Sequence, residues 1–148
     1  MIIIAPFAQK LTSGKINPKS YAYWKELIAL IDEDIVQVGV DGEEQLAPNF
    51  VKNLPIARLK ELIGECRAWI GVDSMFQHLA WSCGKPGIVL WTVSNPNIFG
   101  HPENINLLKS KDNLAKNQFL WWDSTEYDPD KSVNPEIVLQ FLVKFTQT

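Results

Sequence analysis

Short runs of aliphatic and β-branched residues recur along the chain and predict the strands of a buried sheet. They are separated by segments in which apolar residues return every three or four positions, which is typical of helices. The predicted strands are Ile2–Ile4, Ile35–Val40, Ala68–Val72, Gly87–Trp91 and, as a fifth, Ile105–Leu108. We therefore expect an open parallel sheet of five or six strands.

Four helices are expected between and after these strands. Asn17-Pro18 has the form of an N-cap and first turn, so the first helix should run from there to about Asp32. Apolar stripes predict a second helix over Ile56–Cys66 and a third after Asp73-Ser74, and Asn134-Pro135 opens the last. Alternation of strands and helices predicts an α/β fold, a doubly wound parallel sheet with both faces covered.

Composition and charge narrow the class of protein. The chain has 148 residues, 46% hydrophobic and 21% charged, which predicts one globular domain over residues 1–148. A net charge of −3 argues against a broad nucleic-acid surface, and no apolar run is long enough for a membrane span. Cys66 and Cys83 fit neither a metal pair nor a CxxC motif, and the N-terminus does not resemble a secretory signal. We expect a cytoplasmic protein with no metal and no cofactor.

Three loops follow the carboxyl ends of predicted strands, where doubly wound sheets bind ligands. The most specific is the turn into the third helix, where Ser74 offers a hydroxyl and His78 an imidazole beside a positive helix end. Together with Asp73 they form a plausible cradle for a diphosphate. The alternative is that Asp73 and Ser74 only cap the helix and that His78 lies on the surface.

The other two loops offer charges of opposite sign. Lys15 lies in a basic loop with Lys10 and Lys19 and could reach a phosphate. Glu43 and Glu44 could accept hydrogen bonds from ribose hydroxyls. Plain solvent exposure is the alternative for both loops. Trp121-Trp122 could stack on a base or close an interface, with burial as the default expectation. No catalytic triad can be assigned.

An ordered set of motifs resembles a known family. Trp69–Ala80 contains Asp73, Ser74 and His78 in the arrangement Asp-Ser-x-x-x-His-Leu-Ala, and Gly84-Lys-Pro86 and an apolar strand follow. Upstream, Lys15 precedes Trp24, and Gly39–Glu44 resembles a Gly-Gly-x-x-Glu turn. The set resembles the C-terminal lobe of glycosyltransferase family nine, the ADP-heptose:lipopolysaccharide heptosyltransferases.

The resemblance implies a fold and a ligand. The family has a GT-B architecture of two Rossmann-like lobes, and its C-terminal lobe holds most of the nucleotide-sugar. By this resemblance Lys15 and His78 would contact phosphates, and Asp73 and Ser74 would line the sugar-diphosphate pocket. Glu44 or Glu43 would hold the ribose. The ligand would be a nucleotide-diphosphate sugar of the ADP or UDP type.

The chain departs from the family pattern at three places. Met75 replaces a glycine, and Thr92–Pro96 replaces Gly-Pro-Thr-Asp-Pro. The N-terminal acceptor lobe is expected to be absent, and with it the catalytic base. Two functions remain open. One is a donor-binding lobe that transfers sugar with a partner chain supplying the acceptor lobe. The other is a catalytically inactive relic lobe that binds a nucleotide or acts through association. A homodimer is also expected.

Overall fold

The fold is an open sheet of six parallel strands. A computed structural model describes residues 1–119 and 121–145. The strands are β1 (Ile2–Ala5), β2 (Ile35–Gly39), β3 (Asn49–Lys52), β4 (Ala68–Val72), β5 (Ile88–Trp91) and β6 (Ile105–Leu108). Their order is β3-β2-β1-β4-β5-β6, and every pairing is parallel. The predicted parallel α/β fold is confirmed.

Helices cover both faces of the sheet. They are α1 (Trp24–Leu30), α2 (Ile56–Glu65), α3 (Met75–Ser82), the short α4 (Pro96–Phe99) and α5 (Pro135–Phe145). Successive strand residues point to opposite faces, so Ile2 and Ile4 pack with α1 and α5 while Ile3 packs with α2 and α3. Two separate apolar clusters result, one on each face, which is the Rossmann-like doubly wound arrangement. No helix in the described ranges is both long and apolar enough to cross a lipid bilayer.

The first helix begins later than the sequence predicts. It starts at Trp24 rather than at Pro18, and it ends at Leu30. Tertiary hydrogen bonds hold the preceding segment in turns, because Thr92 Oγ1 donates to the Pro18 carbonyl at 2.8 Å and the Tyr21 hydroxyl donates to the Val133 carbonyl at 2.8 Å. Asn17 Oδ1 accepts from the Lys19 amide at 3.0 Å, so Asn17 closes a turn instead of capping a helix.

Candidate functional site

A cavity of about 760 Å³ opens at the carboxyl edge of the sheet. Ala5, Gly39 and Asp73 line it, and they stand at or directly after the carboxyl ends of β1, β2 and β4. The strand order reverses between β1 and β4, so this is the crevice in which doubly wound sheets hold ligands. Ser74 and Met75 at the start of α3, together with residues 121–123, complete the side facing that helix.

Asp73 is the most enclosed charged group of the cavity wall. Its side chain is 7% exposed, and Lys19 Nζ lies 3.1 Å from Oδ2. Gln77, one turn into α3 and fully buried, donates from Nε2 to Oδ1 at 2.9 Å. The carboxylate is therefore fixed by two partners and does not cap the helix that follows it.

The amino end of α3 faces the cavity. Ser74 occupies the N-cap position with extended backbone, and its hydroxyl makes no capping hydrogen bond. The first amides of α3 therefore receive no capping hydrogen bond from Ser74, and an anion could accept hydrogen bonds from such amides. Met75, which stands where the family has glycine, lines the cavity with a side chain that is 61% exposed.

The turn after β2 forms the acidic side of the cavity. Glu43 lines the cavity, and its Oε1 accepts from the Val40 amide at 2.7 Å across a turn in which Gly42 has φ +89°. Glu44 lies outside the lining residues and pairs with Lys25 at 3.5 Å. Asn53, to which no sequence pattern pointed, donates to Asp41 Oδ2 at 2.8 Å and also lines the cavity.

The three lysines of the first loop are placed very differently. Lys15 is exposed, pairs with Glu126 at 3.4 Å and does not line the cavity. Lys10 lines it and lies 3.4 Å from the Gly42 carbonyl oxygen. Lys19 lines it beside Asp73. Spacing along the chain does not distinguish these residues, because the loop conformation alone decides which ammonium reaches the cavity.

His78 lies outside the cavity lining and contacts the chain's other histidine. The two nitrogens, His78 Nδ1 and His101 Nε2, are 2.8 Å apart. His101 in turn stacks on Trp81 with ring centroids 4.5 Å apart. Burial, and next to it the neighbouring His101, lowers the pKa of His78, which favours the neutral imidazole. Nothing in the sequence pattern pointed to His101.

The tryptophan pair borders the cavity, and one expectation about it was wrong. Trp121 was expected to be buried by default, but the residue is 87% exposed. Trp122 is half-buried and lies under Lys19 Nζ, 4.9 Å from the ring centroid. Burial requires a partner surface, and the described part of this chain covers only Trp122.

No group of three or more metal-ligating side chains occurs within residues 1–119 and 121–145. The polar groups of the cavity are carboxylates, amides, hydroxyls and ammonium groups. Such a set suits a ligand that carries both hydroxyl groups and anionic oxygens.

Comparison with known proteins places the chain in a family. The model of glycosyltransferase family 9 (heptosyltransferase) matches residues 31–119, which is more than half of the chain. Among curated protein sequences, none matches at a significant level.

Solved structures share the fold. The E. coli heptosyltransferase WaaC with ADP aligns with a TM-score of 0.68 at 12% identity, over 97% of this chain and 43% of WaaC. The E. coli ADP-heptose lps heptosyltransferase II aligns with 0.69 at 17% identity, over 99% of this chain and 46% of that one. TibC from enterotoxigenic E. coli, described as a dodecameric iron-containing glycosyltransferase, aligns with 0.58 at 16% identity, over 90% of this chain and 36% of TibC. The chain spans less than half the length of each.

Proposed function

Because the chain belongs to glycosyltransferase family 9, we propose that it forms the lobe that binds a nucleotide-diphosphate sugar. The observation that carries the proposal is the position of the 760 Å³ cavity at the carboxyl edge of β1 and β4, next to the uncapped amino end of α3. A heptosyltransferase of similar fold was solved with ADP, which supports a nucleotide of the ADP type, with UDP as the alternative.

We assign the two halves of the ligand to the two sides of the cavity. The diphosphate lies at Ser74 and the first amides of α3, where the helix dipole favours negative charge. Glu43, on the acidic side, accepts hydrogen bonds from ribose hydroxyls, with Glu44 as the neighbouring candidate. Lys15, His78 and Asp73 remain family-derived candidates for the phosphates and the sugar. Of these three, Asp73 alone lines the cavity.

The proposed reaction is transfer of the sugar to a hydroxyl group. The bond between the anomeric carbon and the diphosphate oxygen breaks, and the nucleoside diphosphate leaves with the electron pair. A new bond forms to the acceptor oxygen, whose proton passes to a base on an acceptor-binding lobe. We propose that a partner chain supplies that lobe. Donors around the diphosphate stabilise the leaving charge, which is commonly the largest contribution to such steps. The two free thiols support a cytoplasmic location for the proposed reaction.

Calorimetric titration with ADP and UDP tests the binding proposal directly. We expect micromolar affinity for one nucleotide, because several charge-assisted hydrogen bonds of about 1.5–3 kcal/mol each offset the cost of association. Ser74→Ala and Glu43→Gln should weaken binding about tenfold each. Lys60→Ala, on the exposed face of α2, is the control. Absence of binding by both nucleotides at millimolar concentration would contradict the proposal.

Met75 favours a second candidate, an inactive lobe that acts by association. Its exposed side chain lies in the cavity at the position where a close backbone approach needs glycine. Met75→Gly separates the two functions. If the site is functional, this variant binds nucleotide no more than a few-fold differently from the wild type. If the site is blocked, binding appears only in the variant.

A further inference from the structure

Lys19 is a lysine that is both largely buried and part of the cavity wall. It lies in the loop between β1 and α1, its side chain is 18% exposed, and it lines the cavity. Three parts of the molecule meet at its ammonium: its own loop, Asp73 at the end of β4 at 3.1 Å, and the Trp122 ring at 4.9 Å. The ammonium is therefore held in the cavity before any ligand arrives.

The charged groups of the cavity wall offer an anion few cationic partners. Four carboxylates line the cavity, against two ammonium groups, those of Lys10 and Lys19. The carboxylates belong to Asp41, Glu43, Asp73 and Asp123. A diphosphate entering this wall meets net negative charge unless a cation stands next to it. Lys10 lies at the acidic turn after β2, whereas Lys19 stands beside Asp73 and the start of α3.

Resting on the proposed function, we infer that Lys19, rather than Lys15, supplies the principal ammonium group that binds the diphosphate. An ammonium has three N–H donors, so the Asp73 contact leaves donors for phosphate oxygens. The same contact cancels the charge of Asp73, which would otherwise repel the ligand next to the amino end of α3. Lys15 is exposed, pairs with Glu126 and does not line the cavity, so its ammonium lies outside the proposed diphosphate site.

Affinity for ADP and UDP, measured by calorimetry on matched variants, tests the assignment. For the nucleotide that the wild type binds, Lys19→Met should weaken binding at least about tenfold. Its loss should exceed that of Lys15→Met, while Lys60→Met serves as the control. Lys19→Arg keeps the charge and should bind more tightly than Lys19→Met. Melting curves show whether each variant is folded.

A double-variant cycle with Asp73 distinguishes ligand contact from mere charge balance. Lys19→Met leaves Asp73 without its cation, so a purely structural role would be relieved by adding Asp73→Asn. We expect the Lys19→Met/Asp73→Asn protein to be folded and still at least tenfold weaker than Asp73→Asn alone. Recovery of binding in the double variant overturns the inference.

The remaining outcomes separate this inference from the proposed function. If the wild type binds ADP or UDP and Lys19→Met binds it equally well, the inference is overturned and the proposed function stands. A larger loss for Lys15→Met than for Lys19→Met has the same meaning. If the wild type binds neither nucleotide, both the proposed function and the inference fall together.

Discussion

Gln37 shows how one buried polar side chain shapes the acidic side of the cavity. It is fully buried in the middle of β2. Its Oε1 accepts from the Leu46 amide at 2.7 Å and the Ala47 amide at 3.1 Å, and its Nε2 donates to the Glu44 carbonyl at 2.8 Å. The segment that carries Glu43 and Glu44 is thus fastened to the sheet by a side chain, because no helix follows β2.

Replacing this glutamine removes all three hydrogen bonds. We expect Gln37→Leu to lower the free energy of unfolding by about 2–4 kcal/mol, because the backbone groups it satisfied lose their partners. Urea unfolding measures the effect. Gln140→Leu, at an exposed position of α5, should stay within about 0.5 kcal/mol of the wild type. Equal effects of the two substitutions would contradict this account of Gln37.

The lowered pKa of His78 predicts a pH-dependent stability. The folded state disfavours the imidazolium, so the unfolded state binds more protons, and stability falls as pH drops below the ordinary histidine value of 6.5. The melting temperature should decrease from pH 7.5 to pH 5.5, with a shallower decrease in His78→Gln. The Arg67 hydrogen bond lowers the pKa of Glu33, so protonation of that carboxylate reduces folding stability further at more acidic pH. An identical pH profile in His78→Gln would disprove the assignment.

At the scale of single residues, the sequence indicated which residue types belong to the site better than it indicated which copies reach the cavity. Asp73, Ser74 and Glu43 were expected in the site, and the structure brings them to one cavity. Lys15 and His78 were expected there too, but the loop and the helix direct them elsewhere. Which lysine enters depends on an ion pair across 54 positions of sequence, between Lys19 and Asp73. No local pattern contains that information.

Among the elements, α2 offers a matched test of the packing described for the sheet faces. Ile63 is 0% exposed on the face that meets the sheet, while Ile56, at the start of the same helix, is 59% exposed. We expect Ile63→Ala to cost about 2–5 kcal/mol through lost burial and a cavity. Ile56→Ala should change stability by no more than about 0.5 kcal/mol. Denaturant midpoints give both values, and similar losses would show that α2 packs differently.

Five of the six strands follow from the sequence because each consists mostly of apolar residues. The missed strand, β3, has polar residues at both ends and lies at the sheet edge with no fully buried side chain. It also follows β2 without an intervening helix, so the alternation rule gave no signal. An edge strand is defined by backbone pairing with its neighbour, here Val38 with Val51, which residue patterns do not encode.

At the scale of the whole molecule, apolar side chains remain exposed around the mouth of the cavity. Met75 and Trp121 line it, and both are more than half exposed. A homodimer therefore remains our prediction, because large apolar side chains exposed at one site often meet a partner. Trp121→Ser should shift the protein toward monomer, whereas Ile56→Ser on α2 should not. Light scattering that finds the wild type monomeric at micromolar concentration would refute this.

The strand order also determines when β1 gains its two neighbouring strands during synthesis. Of the six strands β1 is synthesised first, yet it lies between β2 and β4, and Ile2 pairs with Ala68. At translation rates of about 5–20 residues per second, roughly 3–13 seconds separate the two strands on the ribosome. During that interval one hydrogen-bonding edge of β1, whose sequence is Ile-Ile-Ile-Ala, has no neighbour, and such edges favour aggregation. The nascent protein should therefore depend on a chaperone most strongly until β4 has emerged.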